Sequence, residues 1–332
     1  MRRLSLFALA VVAALAVLAA SCSGDSLNGG FTVRDVASGL SQPTQMVLLA
    51  DGRLLVAQLS GAENDKTGSI VTIDPAKPDA VDVWFEDLDK PTGLAVIDDT
   101  VWIMERRRLS RGPVGGGTSE VVLPGLEFNG RSEGTLTAHD GMLIFNTSGR
   151  RDGNERRAGS ATIWRLDPAT LERTELAVGI QNAYARLIDD EGTVWSTDIY
   201  AGNDEAAVGD SIVAVRSGDD LRWPQCAGSG VPIEEFGGDA LLCADRPPAV
   251  ARFIGGATPT SIDVAPWDPD SFVVALWSTG EVVLVPRSTG SVPNESFDVL
   301  YDGFERPQHV LTVGDEVFVA DHASGRIVAI GK

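Results

Sequence analysis

The chain has 332 residues, with 27 Lys and Arg against 47 Asp and Glu and a formal net charge of −20. So acidic a surface repels phosphate backbones and anionic lipid headgroups, which excludes nucleic acid as a partner. Hydrophobic residues make up 43% of the chain, enough for a large core, and with no low-complexity linker to divide it one domain is expected.

Arg2 and Arg3 precede an apolar run from Leu6 to Ala20, which ends at Ser21-Cys22-Ser23-Gly24. A basic start, a short apolar stretch and small residues at its end read as an export signal, not a structural helix. Ala19-Ala20-Ser21 before Cys22 resemble a bacterial lipoprotein processing site, although Leu18 stands one place further out than that pattern wants. On this reading residues 1–21 are removed, Cys22 is lipidated and 22–30 form a flexible tether. Simple secretion without a lipid is the alternative. The expected location is the extracellular face of the cell membrane or the periplasm, with membrane contact through the anchor only.

From residue 31 onward a unit recurs: an apolar stretch, an acidic or glycine turn, a second β-rich stretch, then a third. Met46 to Leu49, Asp51-Gly52, Leu54 to Ala57 and Ile70 to Ile73 make the first. Leu94 to Ile97, Asp98-Asp99 and Val101 to Met104 begin the second. The third turns at His139-Asp140-Gly141, where His139 reads as a turn residue. The fourth turns at Asp190-Glu191-Gly192, the fifth at Asp268-Pro269-Asp270 and the sixth at Gly314-Asp315. The turns recur at roughly 40 to 50 residues, the period of a β-propeller blade, except for one longer step between the fourth and the fifth.

Six such units, without helical periodicity, predict an all-β six-bladed β-propeller over 31–332. A blade cannot bury both faces alone, so blades stack until the ring closes and no large sheet edge is left open. Phe31 to Val36 precedes the first unit and is expected to supply the outer strand of the last blade, closing the ring. A β-sandwich is the competing fold, since hairpin turns such as Asp51-Gly52 occur in any all-β protein. The long step is an insertion at about 220–257 that holds Cys226 and Cys243. An even cysteine pair in an exported chain reads as a disulfide, with a thiolate metal or redox site as the alternative.

Trp223-Pro224-Gln225-Cys226-Ala227-Gly228, Cys243 and Arg246-Pro247-Pro248 resemble the glucose/sorbosone dehydrogenase family. The likeness continues at Gly179-Ile180-Gln181-Asn182, similar to the family's Gly-x-Arg-Asn turn, and at Phe304-Glu305-Arg306-Pro307 and Val319 to Ile327 in the final blade. It covers about 31–332. The resemblance implies a six-bladed propeller that oxidises sugars with pyrroloquinoline quinone (PQQ) and calcium.

Three positions depart from that pattern. The family's catalytic histidine, in a His-x-x-Gly segment, falls on Arg131 of Arg131-Ser132-Glu133-Gly134, and a guanidinium that stays protonated cannot accept the sugar's proton. The arginine that holds the quinone's carboxylates falls on Gln181, beside a retained Asn182, so a charge-assisted contact becomes a neutral one about half as strong. The calcium loop is expected at Asp198, Tyr200, Asp204 and Asp210, where the family's Asp-Glu pair is reduced to Asp210-Ser211; calcium takes such oxygen ligands.

Propeller geometry adds a further expectation: Gln45, Thr92, Arg131, Asn182, Thr260 and His309, from the loops entering the innermost strands, should converge at the axial mouth. Polar groups so gathered suit a sugar or polyol. His309 is the expected titrating group there. Two functions follow, a PQQ-dependent sugar dehydrogenase-like enzyme with an altered base or a non-catalytic carbohydrate- or partner-binding surface lipoprotein.

Overall fold

The computed structural model describes residues 30–61, 67–128, 133–200, 208–253, 256–288 and 292–332. They form six four-stranded antiparallel sheets. The innermost strands are Pro43–Leu48, Gly93–Ile97, Thr137–His139, Arg186–Ile188, Pro259–Ala265 and Pro307–Val313, and they define blades 1 to 6. The order of turn and strand read from the sequence is the order of strands in each blade.

Thr32–Ala37 pairs antiparallel with Arg326–Gly331 and completes blade 6, with Thr32 opposite Gly331 and Val33 opposite Ile330. The ring is therefore closed by the N-terminal strand, as the sequence leads one to expect. His139 ends an innermost strand at a hairpin in which Asp140 has a positive φ of 50°.

Burial explains why the strands are nearly continuous apolar runs. In Leu54–Ser60, the second strand of blade 1, Leu54 and Val56 pack toward blade 6 with Phe318 and Ile327, while Leu55 and Ala57 pack toward blade 2 with Leu94 and Val101. Alternate side chains point to opposite faces, and both faces are covered, so every position must be apolar. One such apolar cluster fills each gap between adjacent blades.

Blades also touch through backbone. A Cβ placed on Gly134 would lie 1.9 Å from the Tyr184 carbonyl oxygen, so blade 3 enters the ring against blade 4 at a spacing only glycine permits.

Blade 3 carries an additional hairpin, Arg151–Asp152 with Glu155–Arg156. Blade 4 carries the insertion, which leaves the ring after Asp210–Val215 and returns as the outer strand Ala249–Phe253. It contains a 3-10 turn, Glu234–Phe236, and a short helix, Ala240–Ala244, capped by the Asp239 carboxylate, which accepts from Leu242 N. Cys226 and Cys243 are joined as a disulfide inside it.

Candidate functional site

The axial channel is crossed by side chains at equivalent places in the six blades: Thr44, Thr92, Thr135, Tyr184, Thr260 and Gln308, all buried. The four threonines repeat one contact. Each hydroxyl donates to a main-chain carbonyl of the following blade: Thr44 to Pro91 (3.0 Å), Thr92 to Gly134 (3.5 Å), Thr135 to Tyr184 (3.4 Å) and Thr260 to Pro307 (3.0 Å). Blades 4 and 6 place larger residues there, and Gln308 Nε2 donates to the Tyr184 hydroxyl at 2.6 Å, tying together the two blades that flank blade 5.

All but Thr135 of these six line a cavity of about 540 Å³ at the mouth. Its wall adds Lys90, Asn182, Thr258, Trp277, Ser278 and His322. The His322 and Trp277 rings lie 4.9 Å apart, and His322 Nδ1 lies 3.1 Å from the Pro43 carbonyl oxygen. Asn182 Oδ1 is buried without a hydrogen-bond partner among the described residues. Among the described lining residues there is no carboxylate and no arginine, and Lys90 is the one side chain with a standing positive charge.

The loops around this mouth are pinned by one repeated device. A side chain at the end of a blade's second strand accepts the backbone N–H of the loop that enters its innermost strand. Gln58 takes Ser41 N (2.9 Å), Glu105 takes Asp89 N (2.5 Å), Asp198 takes Asn182 N (2.8 Å) and Asp321 takes Arg306 N (2.8 Å). The sequence separations are 17, 16, 16 and 15 residues. Buried loop N–H groups require such partners.

Below the mouth, Gln45 spans the channel. Its Nε2 donates to Leu136 O (2.9 Å) and its Oε1 accepts from Leu94 N (2.8 Å) and Leu136 N (2.9 Å), so one amide joins blades 1, 2 and 3. Arg186 is buried between blades 3 and 4, donating to the carbonyls of Thr135, Ile144, Ala183 and Tyr184 and to Asn146 Oδ1. Gln45, Arg186, Asp263 and His309 line a second cavity of about 270 Å³.

The convergence expected from the sequence is thus half realised. Thr92, Asn182 and Thr260 meet at the mouth, while Gln45 and His309 line the second cavity. The pairing of both innermost strands is irregular at their start, between Pro43 and Met46 and between Pro307 and His309. A bulge shifts the alternation of side chains by one residue; Thr44 and Gln308 take the places at the mouth. His309 is not the titrating group expected there. Burial pushes its imidazole down to about 3, so it is neutral at every physiological pH, with Nδ1 unpartnered among the described residues.

Gln181 does not line the mouth; its Oε1 is buried and unpartnered among the described residues. Asp198 and Asp210 come together in blade 4. Burial first, and then the neighbouring Asp210 charge, push the Asp198 carboxyl up to about 6. Asp210 accepts Tyr200 N (2.8 Å) and Thr258 N (2.7 Å), and Tyr200 packs on Val208 and on Ala227 and Ile233 of the insertion. Among the described residues no group of three or more His, Cys, Asp or Glu side chains is placed to hold a metal. Arg131, Asp204 and Cys22 lie outside the described residues.

Sequence reasoning missed His322, Trp277, Tyr184 and Gln308. A usable signal existed for the first two: both follow the end of a second strand, the level at which Gln58, Glu105 and Asp198 also stand.

No family model and no curated protein matches the chain. Solved structures do. A PQQ-bound aldose sugar dehydrogenase from Streptomyces coelicolor shares 18% identity at a TM-score of 0.69, over 92% of this chain and 99% of its own. The PQQ domain of a Coprinopsis cinerea pyranose dehydrogenase, in its holo form, shares 15% at 0.71 over 92% and 96%. A calcium structure of a Trichoderma reesei enzyme of carbohydrate-active family AA12 shares 15% at 0.73 over 92% and 96%. The chain has the six-bladed architecture of the PQQ-dependent soluble sugar dehydrogenases.

Proposed function

We propose that the mouth binds a neutral polyhydroxylated ligand, a sugar or polyol, and that the protein is a binding propeller built on the sugar dehydrogenase architecture. The observation that carries this reading is the chemistry of the wall. Hydroxyls, amides and one indole predominate in it, beside Lys90, the His322 ring and the apolar Leu59 and Ile199, with the Asn182 Oδ1 acceptor unpartnered among the described residues. A threonine hydroxyl that donates to a carbonyl keeps its acceptor lone pairs, so the ring can receive a ligand's O–H groups while Trp277 offers an apolar face.

PQQ is a poor fit to the described residues. It is a tricarboxylate, and Lys90 is the one lysine or arginine among the described residues of the wall, while Gln181, the position at which the resemblance implies an arginine, is a neutral amide off the wall. Calcium likewise finds in blade 4 carboxylate oxygens already engaged by the N–H groups of Asn182, Tyr200 and Thr258. The rival reading, quinone-dependent sugar oxidation, has its support in the neighbours' architecture and in His322 in the mouth wall, with its Nδ1 beside a carbonyl. Export, with Cys22 as the lipid attachment point, is part of the proposal and is supported by Arg2-Arg3 and the apolar run that follows.

Two titrations decide. The purified protein is titrated calorimetrically with aldoses and polyols, without quinone, and heats of binding that Asn182→Ala abolishes are expected. In parallel it is supplied with calcium, PQQ, the same sugars and a dye acceptor. Dye reduction above the protein-free rate would replace the binding reading with the enzymatic one.

A further inference from the structure

We propose that the guanidinium of Arg246 is the resident counter-cation of the blade 4 acidic pair, so that Asp198 and Asp210 support the mouth without a metal ion. The observations come from three directions. Arg246 is delivered by the insertion, three residues after Cys243, and its Nη2 donates to the Gly228 carbonyl at 2.8 Å while Nη1 donates to the Pro247 carbonyl at 2.9 Å. Gly228, two residues after Cys226, sits directly on the acidic pair's strand ends. A Cβ there would lie 2.3 Å from Asp198 Oδ2 and 2.6 Å from Ser211 Oγ. The disulfide thus fastens both the arginine and the glycine it grips over the Asp198 carboxylate. The charge of Arg246 acts on Asp198 and opposes the effect of Asp210.

The carboxylates themselves are committed to the backbone. Asp198 Oδ1 holds Asn182 N, and Ile199 N donates to Asn182 O at 3.1 Å, so a mouth residue is gripped at both main-chain groups from this strand. Asp210 holds Tyr200 N and Thr258 N. Asp198 also occupies the position at which Gln58, Glu105 and Asp321 pin the loops of other blades. In blade 2 the carboxylate of Glu105 has an arginine partner, Arg108, and in blade 6 Asp321 has Arg326. Arg246 holds the corresponding place in blade 4, not by a direct ion pair but through the Gly228 carbonyl that lies over Asp198. Two carboxylates side by side repel unless a cation is near, and a guanidinium supplies one positive charge there. This assignment does not depend on what the mouth binds.

The test is thermal unfolding of the whole protein in excess chelator and in millimolar calcium. Wild type is expected to melt at one temperature in both. Arg246→Met, which keeps the aliphatic stem, is expected to melt several degrees lower, and Asp198→Asn added to it should recover most of that loss, because the uncompensated charge is gone. The proposal is overturned if calcium raises the wild-type transition in a way that Asp198→Asn abolishes. It is equally overturned if Arg246→Met and the double variant melt together, since the arginine would then be packing rather than balancing charge.

Discussion

Removal of the Glu133 carboxyl should change the protein's response to pH. Glu133 is buried where blade 3 enters the ring and its Oε1 accepts Arg107 N at 2.9 Å. Burial pushes its carboxyl up from 4.5 to about 7, against the weaker pull of the backbone N–H groups, Lys90 and Arg106. The folded state therefore binds a proton that the unfolded chain has released. Stability from this group is fully present below the unfolded value and is lost as the pH rises through about 7. A displacement of that size, at about 1.4 kcal/mol per pH unit, corresponds to roughly 3 kcal/mol. Glu133→Gln keeps an acceptor for Arg107 N and cannot ionise. Urea unfolding of both proteins between pH 5 and pH 8.5 should show the variant gaining on wild type progressively, by up to about 3 kcal/mol at the alkaline end. A difference between the two that stays flat across this range would refute the reasoning.

Arg186→Met should lower the thermal midpoint by several degrees. It strands the carbonyls of Ala183 and Thr135 at the junction of blades 3 and 4, at about 1–3 kcal/mol each, offset by release of a buried charge; a midpoint at or above wild type would show the charge to be the larger cost. Gly134→Ala drives a methyl into the Tyr184 carbonyl and should prevent soluble expression or cost several kcal/mol, read by calorimetry. Replacing Cys226 and Cys243 by serine should cost about 3 kcal/mol on the chain-entropy view, with faster amide exchange confined to the insertion and the Asn182 loop.

The architecture was legible because it is written in local patterns. Turns such as Asp51-Gly52 and Asp140-Gly141 punctuate apolar runs that must be apolar at every position when blades cover both faces. The closing strand could be read as well, since Phe31 to Val36 had no partner in its own neighbourhood. The mouth was legible only in part. Which residue of an innermost strand faces the axis depends on irregular pairing at Pro43 and Pro307, and a one-residue shift exchanges Gln45 for Thr44 and His309 for Gln308. The bond between Gln308 and Tyr184 spans 124 residues of sequence, and nothing local announces it. Asp198 carried a signal that admitted two meanings. An acid at the end of a strand reads as a metal ligand until Glu105 and Asp321 are seen in the same place, each holding a loop amide.

The antiparallel union of Thr32–Ala37 with Arg326–Gly331 has a temporal side. During synthesis the first strand of the domain emerges long before its mate, and the apolar flank of blade 1 that will meet Phe318 and Ile327 stays uncovered meanwhile. The ring of sheets can close only when the last segment arrives. Until then that flank has no covering blade.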